Sequence, residues 1–512
     1  MKIRFLFLFT LVGWLSVLTV KAQSKPNIII FLVDDMGLMD SSVPFLTDKN
    51  QKAIKYPLND WYKTPNMERL AAIGTRFSTF YAQSVCSPSR TSIITGQNAT
   101  RHKVTQWIDP YANNKGDHGP SDWNWQGVDT KNTNTLPLIF KNIGYETIYV
   151  GKAHFGPFGS VGENPKNIGY KISIGGSSIG HPGSYLGKDN YGQINKNGKI
   201  VQQVPNLEKY HQTDTFLTEA LTIEAKNEIK KAASKSKPFF LQMSHYAVHS
   251  PFMFDPQFKP QSGLDKFSLD AQKYASLIAG MDNSLGQIMD ELNHLGIAEN
   301  TLIIFLGDNG SDAPLGSIHE VASSAPLRGK KGTHYEGGMR IPFMAAWAKP
   351  APNNNWQKKL PIKQGFVQTQ IGSIMDIYPT IVELVDASVP KSYVRDGFSL
   401  KNNLAGKKDK SKSESFLMHF PHDHRSKYFT SYRNGNWKLI YHYFPEMNPA
   451  QTRYELFNLA NDPYEQMNLA KTNKPMVKKL VAEMSKRLQE EGALYPEDKN
   501  GNIVKPQWFE TF

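Results

Sequence analysis

The sequence predicts an α/β fold: a large, mainly parallel sheet sandwiched by helices, with a smaller C-terminal α+β subdomain. Three observations carry that expectation. Short continuous runs of β-branched and aromatic residues recur as NIIIFLV from Asn27, YETIYV ending at Val150, FFLQM from Phe239 and TLIIFL from Thr301, the pattern of strands buried on both faces. Helical stretches alternate with these runs, and each run is followed at once by polar residues, which open α/β sheets gather at the carboxyl ends of their strands. Beyond the charged stretch Gly406–Ser413 the pattern changes to a hairpin, TSYRNGNWKLIYHY, with Asn434-Gly435 read as its turn, and a final helix near 474–491.

Taken in order, residues 1–22 place Lys2 and Arg4 before an apolar run and close on Val20-Lys21-Ala22, which reads as a secretory signal peptide. The run is short for a membrane span and no later stretch is apolar enough, so an exported chain, periplasmic or secreted, with no membrane anchor is expected. The 512 residues hold one cysteine, which excludes an intramolecular disulfide framework and leaves ordinary core burial to hold the fold. A formal net charge of +13 suits an anionic partner. No nucleic-acid-binding motif accompanies the charge, and nucleic acid is not expected.

Helices are predicted over 133–144, stopped by Gly144, over 215–235, and over 269–295, where Tyr274, Leu277, Ile278, Met281, Leu285, Ile288, Met289 and Leu292 fall at amphipathic spacing. Two long loops, 101–130 and 156–212, read as lids or walls.

The stretch CSPSRTSIITG, Cys86 to Gly96, holds the single cysteine. Pro88 fits a first helical turn, Ser87 or Ser89 can cap its backbone donors, and Arg90 returns a guanidinium to the face of Cys86. A nucleophile, a helix N-terminus and an arginine together suit a tetrahedral oxyanion such as sulfate or phosphate. Asp34-Asp35 and Asp308-Asn309 follow two of the strands. Two unit charges about 4 Å apart repel by roughly 4 kcal/mol at a surface-like dielectric. Converging carboxylates of this kind call for a cation, and hard oxygen ligands favour Ca2+ or Mg2+ over Zn2+.

The stretch resembles the signature C-x-P-S-R-x-x-x-x-T-G of the type I, formylglycine-dependent sulfatases of the alkaline phosphatase superfamily, among them exported bacterial carbohydrate sulfatases. The resemblance runs from Lys25 to about Leu469, where ELFNLANDPYEQMNLA is similar to the family's tail. It implies conversion of Cys86 to formylglycine by a maturation enzyme, with the aldehyde hydrate as nucleophile. It also implies a cation, usually calcium, on Asp34, Asp35, Asp308, Asn309 and the modified Cys86. GYETIYVGKAHFG is similar to the family's GY-x-T-x-x-x-GKWHLG, departing at Ala153 and Phe155. By that match Lys152 contacts sulfate and His154 orients the hydrate and takes its proton. His249, in H-S-P, matches the histidine that protonates the leaving oxygen, with His245 as a competing candidate. LRGKKGTHYEGG resembles LRGGKGTTYEGG, which makes Lys331 a sulfate ligand beside Arg90 and leaves Lys330 and His334 as further substrate contacts or bystanders.

The expected activity is sulfate ester hydrolysis on sulfated oligosaccharides or polysaccharides, with Trp107, Trp123 and Trp125 as aromatic walls for the sugar. A phosphonate or phosphate ester hydrolase of the same superfamily is the alternative, and a non-catalytic glycan binder a more distant one. The expected division is 1–22 signal peptide, 23–405 catalytic domain and 406–512 small-sheet subdomain.

Overall fold

The computed structural model describes residues 25–131, 133–258, 267–448 and 451–510. The signal peptide expected at 1–22 lies outside them. The large sheet has strands β1 (Asn27–Val33), β2 (Thr75–Phe77), β3 (Glu146–Gly151), β4 (Ile172–Ile174), β5 (Phe239–His245), β6 (Thr301–Gly307), β7 (Phe343–Trp347) and β8 (Phe366–Gln368). Their spatial order is β8-β2-β7-β6-β1-β5-β3-β4. Pairing is parallel except where β7 runs antiparallel to β6 and β2. The four apolar runs thus form the contiguous centre of the sheet, β6-β1-β5-β3.

Both faces are covered, as continuous apolar runs require. On β1, Ile28, Ile30 and Leu32 enter one apolar layer while Ile29, Phe31 and Val33 enter the other. Helices α1 (Cys86–Thr95), α2 (Leu217–Ser234) and α3 (Leu269–His294) follow the sequence pattern closely. All eight apolar residues predicted for the buried stripe of α3 are buried, Ser268 caps its first turn by accepting from Ala271 N, and Gly296 follows with a φ of +67°.

The C-terminal part forms an antiparallel sheet of β9 (Ser415–Phe420), β10 (Phe429–Asn434), β11 (Trp437–His442) and β12 (Tyr454–Asn458). Helix α4 (Lys474–Glu490) covers one face, with Val477, Leu480, Val481, Met484 and Leu488 against Leu417, Leu439, Tyr441 and Leu456. The other face, through Phe416, Met418, Phe420, Ile440 and Phe457, joins a core layer of the large sheet. The hairpin turn falls one residue later than the sequence suggested. Asn434 pairs with Trp437, so Gly435 and Asn436 make the turn, and Gly435 supplies the positive φ of 56°.

Candidate active site

The register of the central strands sets the floor of the site. Val33 pairs with both His245 and Gly307, and Gly151 pairs with Ser244, so four strands end level and their next residues converge. Backbone bonds lock the ends together: Asp34 N donates to Ala247 O, Asp308 N to Val33 O and Lys152 N to Ser244 O. Asp35 and His154 hold left-handed backbone, at φ of 60° and 56°. Such strain in residues other than glycine persists where surroundings over-determine it, as at functional sites.

Ligand oxygens of Asp34, Asp35 and Asp308 lie within 4.8 Å of one another, and all three residues are fully buried. Each carboxylate has cationic company. Lys152 Nζ sits 2.7 and 2.8 Å from the Asp34 oxygens, Lys331 Nζ 2.7 Å from Asp35 Oδ2, and Arg90 Nε 2.9 Å from Asp308 Oδ2. Burial would raise Asp35, but Lys331, His249 and Lys152 outweigh it and hold this carboxyl well below the usual range. Burial and the charge of Asp34 push Asp308 up. Asn309 Nδ2 donates to Asp35 Oδ1, while its Oδ1 is buried without a partner beside the three carboxylates. Crowded carboxylates and an orphaned amide oxygen form a hard-oxygen donor set that fits a divalent cation.

Helix α1 brings Cys86 to this floor. Val85 occupies the cap position without a side-chain bond, and neither serine caps the helix as the sequence suggested. Ser87 Oγ accepts from Ile108 N, and Ser89 Oγ accepts from Gln83 N, so both tie loops to the helix instead. At the far end Gly96, at φ of 69°, closes the helix where an added Cβ would lie 2.9 Å from Tyr378. The Cys86 Sγ lies 3.4 Å from His154 Nδ1, and His154 Nε2 lies 2.6 Å from Ile108 O. The bond to a carbonyl puts the ring proton on Nε2 and presents the Nδ1 lone pair to Cys86. Burial, then Lys152, holds His154 well below the usual imidazole range. Burial pushes the Cys86 thiol up against the pull of Lys152 and Lys331.

Arg90 departs from its expected role. It is fully buried and bonds Asp308, Asp34 Oδ1, Lys152 O and Ser244 Oγ, so its guanidinium holds the carboxylate floor rather than reaching into the cleft. Above the floor opens a cleft of about 340 Å3 whose lining includes Cys86, His154, His249 and Lys331. His249 Nε2 faces Asp35 Oδ2 at 3.4 Å, whereas His245 is buried in the core with Nε2 2.9 Å from Ser284 Oγ. Geometry therefore separates the two candidates in favour of His249.

The walls correct several other expectations. Trp107 lines the cleft, but Trp123 and Trp125 do not. Trp123 is buried against Val104 and Ile108 with Nε1 donating to Asn113 Oδ1, and Trp125 Nε1 donates to Asp109 O. Both pack the loop down. Lys330 lies outside the lining, its Nζ near Ala313 O and Asp312. His334 is fully buried beneath the C-terminal sheet, facing His442 and Glu455. Sequence reasoning missed His181, which stacks on His249 with ring centroids 5.6 Å apart, and Asp109, Tyr111, Asp312, His424 and Arg425, all in the lining. Arg425 pairs with both oxygens of Asp312 and donates to Lys331 O. The cluster FPHDHRSK after β9 was the available signal, a group of titratable residues following a strand.

Comparison with known proteins places the chain in a family. A family model described as sulfatase matches residues 26–387, and one described as N-sulphoglucosamine sulphohydrolase, C-terminal, matches 330–493. The chain is 27% identical to a sulfatase of Formosa agariphila over 503 residues, covering 88% of this chain and 86% of that protein. It is 30% identical to the N-acetylgalactosamine-6-sulfatase of Mus musculus over 392 residues, covering 75% of this chain and 67% of the relative. The crystal structure of Ps i-CgsB shares the fold, with a TM-score of 0.71 at 24% identity over 93% of this chain and 96% of that one. The first family match spans well over half of the sequence: the chain belongs to the sulfatase family, hydrolases of sulfuric esters.

Proposed function

We propose that the protein hydrolyses sulfate esters of sulfated oligosaccharides or polysaccharides, with Cys86 converted to formylglycine and Ca2+ held by Asp34, Asp35, Asp308 and Asn309. The carrying observation is the convergence of Cys86, His154, His249 and Lys331 in one cleft directly above the three carboxylates. When present, the formylglycine supplies a hydrated aldehyde as nucleophile and the cation a fixed positive charge beside it.

The chain's own residues supply the rest. Lys331, which lines the cleft beside Asp35, provides positive charge against a bound sulfate group and its transition state, while Lys152, fully buried on Asp34 and outside the lining, adds its charge from the floor rather than as the direct contact expected of it. His154 offers the Nδ1 lone pair toward residue 86, and its depressed pKa keeps that base unprotonated at neutral pH. His249 Nδ1 lies 2.8 Å from Ser250 O, which leaves Nε2 facing the cleft to carry the proton for the leaving alcohol. Burial and Lys331 depress His249 to about 3 in the free enzyme, and an arriving sulfate places the negative charge that raises it again.

A carbohydrate substrate is supported by the names of the relatives, by the Trp107 and Tyr111 faces in the wall, and by Asp109 and Asp312, whose carboxylates suit sugar hydroxyls. Among the described residues no helix is long and apolar enough to cross a membrane. On the sequence pattern of 1–22 and of CSPSR, the reading is an exported enzyme with a cleaved leader and a maturation enzyme acting on Cys86. The proposed division at residue 405 assigns His424 and Arg425 of the cleft wall to the small-sheet unit, so 406–512 contributes to the site.

The test is free sulfate released from a panel of sulfated oligosaccharides, with an aryl sulfate and an aryl phosphodiester alongside, using protein from a host able to modify the cysteine. Release that disappears in Cys86→Ala is expected. Turnover of the phosphodiester alone would transfer the assignment to the phosphate and phosphonate ester hydrolases.

A further inference from the structure

A second cluster of potential ligands lies away from the cleft, where the segment following Lys331 meets the C-terminal sheet. His334, His442 at the end of β11 and Glu455 in β12 present one ligand atom each within 4.8 Å of one another. His334 and His442 are essentially inaccessible, and Glu455 is buried. His442 Nε2 stands 2.8 Å from Glu455 Oε1 and His334 Nε2 3.5 Å from the same oxygen. Tyr335 Oη donates to the other oxygen, Oε2, at 2.9 Å and so orients the carboxylate.

Two features are unexplained by packing. Neither nitrogen of His334 has a hydrogen-bond partner, nor does Nδ1 of His442, although all three atoms are buried. Buried polar atoms are ordinarily satisfied, and the unpaired His334 Nε2, facing a carboxylate oxygen and a second imidazole, calls for a missing ligand; an ion on the two Nε2 atoms leaves the Nδ1 atoms as they are. The buried Glu455 carboxylate has, among the described residues, only these two imidazoles as ion-pair partners and no lysine or arginine. A buried anion without a cation is costly.

We propose that His334, His442 and Glu455 bind a Zn2+-class transition-metal ion. A tetrahedral zinc with bonds of about 2.0–2.1 Å separates its ligand atoms by roughly 3.3 Å, which the observed 2.8 and 3.5 Å bracket. Two imidazoles and one carboxylate select zinc over calcium, opposite to the all-oxygen cluster under the cleft. The ion pins the 331–335 segment to β11 and β12. It therefore acts as a structural clamp behind Lys331, three residues from His334, and takes no part in the chemistry. Tyr335 is the outer partner that such ligands require.

The experiment uses the untagged full chain, stripped by a chelating resin, resupplied with excess Ca2+ and then with zinc. One equivalent of zinc retained per chain is expected, with X-ray absorption fine structure showing two imidazole nitrogens around it, a raised melting temperature, and loss of retention in His442→Gln and in His334→Thr. A chain that keeps no zinc, or zinc with fewer than two imidazoles, overturns the proposal, and this reading needs only the wild-type protein should the variants fold poorly. The excess Ca2+ keeps the oxygen cluster from taking up zinc, so the result does not depend on the catalytic assignment.

Discussion

The floor of the cleft and its rim are built on different principles. The floor is a set of buried charges gathered at the level ends of four hydrogen-bonded strands, where three carboxylates meet two lysines and an arginine, all fully buried but Lys331, which opens onto the cleft. The rim comes from distant loops, with Trp107 and Tyr111 from one, His181 from a second, and His424 and Arg425 from the C-terminal unit. A rigid sheet end can hold reacting groups in place, while loops on that scaffold can vary with the substrate. Mutations should divide accordingly, in kcat at the floor and in KM at the rim.

The largest effect is expected at Cys86. Cys86→Ala should lower sulfate release by at least about a thousandfold while leaving the melting temperature intact, since a small side chain replaces a small one. Arg90→Ala should be the most destabilising floor variant, by about 3–5 kcal/mol in denaturant unfolding, because it strands Asp308 as a buried charge, while Asp34 keeps Lys152. Added Ca2+ should restore part of that loss, and an Arg90→Ala protein as stable as wild type would contradict the assignment. Lys331→Ala should cost about a hundredfold or more in kcat, where one oxyanion-stabilising cation is removed.

A further effect, small for each residue taken singly, concerns pH. Burial pushes His102, His245 and His422 down to about 3 and His419 to about 4. Because the folded values lie below the ordinary 6.5, the unfolded chain takes up protons first on acidification. The stabilisation is complete above about pH 6.5 and is lost as pH falls from there toward 3 to 4, on the order of 1–2 kcal/mol per histidine by about pH 5. Thermal unfolding across this range checks the slope, and His422→Gln should flatten it. At the rim, Arg425→Ala should raise KM about tenfold with kcat changed no more than about twofold, and Trp123→Phe should leave KM unchanged because that ring packs the loop. An Arg425 variant that lost kcat alone would erase the distinction between floor and rim.

The same division explains what could be read from the chain. NIIIFLV, YETIYV and TLIIFL end abruptly in DD, GK-A-H and GDN, and a strand that stops being apolar fixes which side chains stand at its carboxyl end. Lys152 and His154 were therefore candidates by position as well as motif, and Cys86 and Lys331, on a helix and in a turn, were candidates by motif. Partner choice was not legible, which is why Arg90 was read as a substrate contact although its donors close on Asp308, Asp34 and a backbone carbonyl. Most of the rim was hidden because the meeting of His181 and Arg425 with Trp107 around one cleft is decided by tertiary folding across the whole chain. A tryptophan in a polar loop reads alike whether it lines a cleft, as Trp107 does, or packs into the protein, as Trp123 does. His334 failed for the same reason: nothing local indicates that β11 and β12 cover it.

The most direct test of the central claim measures sulfate turnover against the fraction of Cys86 converted to formylglycine, determined by mass spectrometry of the peptide that carries it, across preparations of differing conversion. Turnover rising in proportion to conversion and extrapolating to zero for unmodified protein is the predicted result. Turnover by wholly unmodified protein would contradict it.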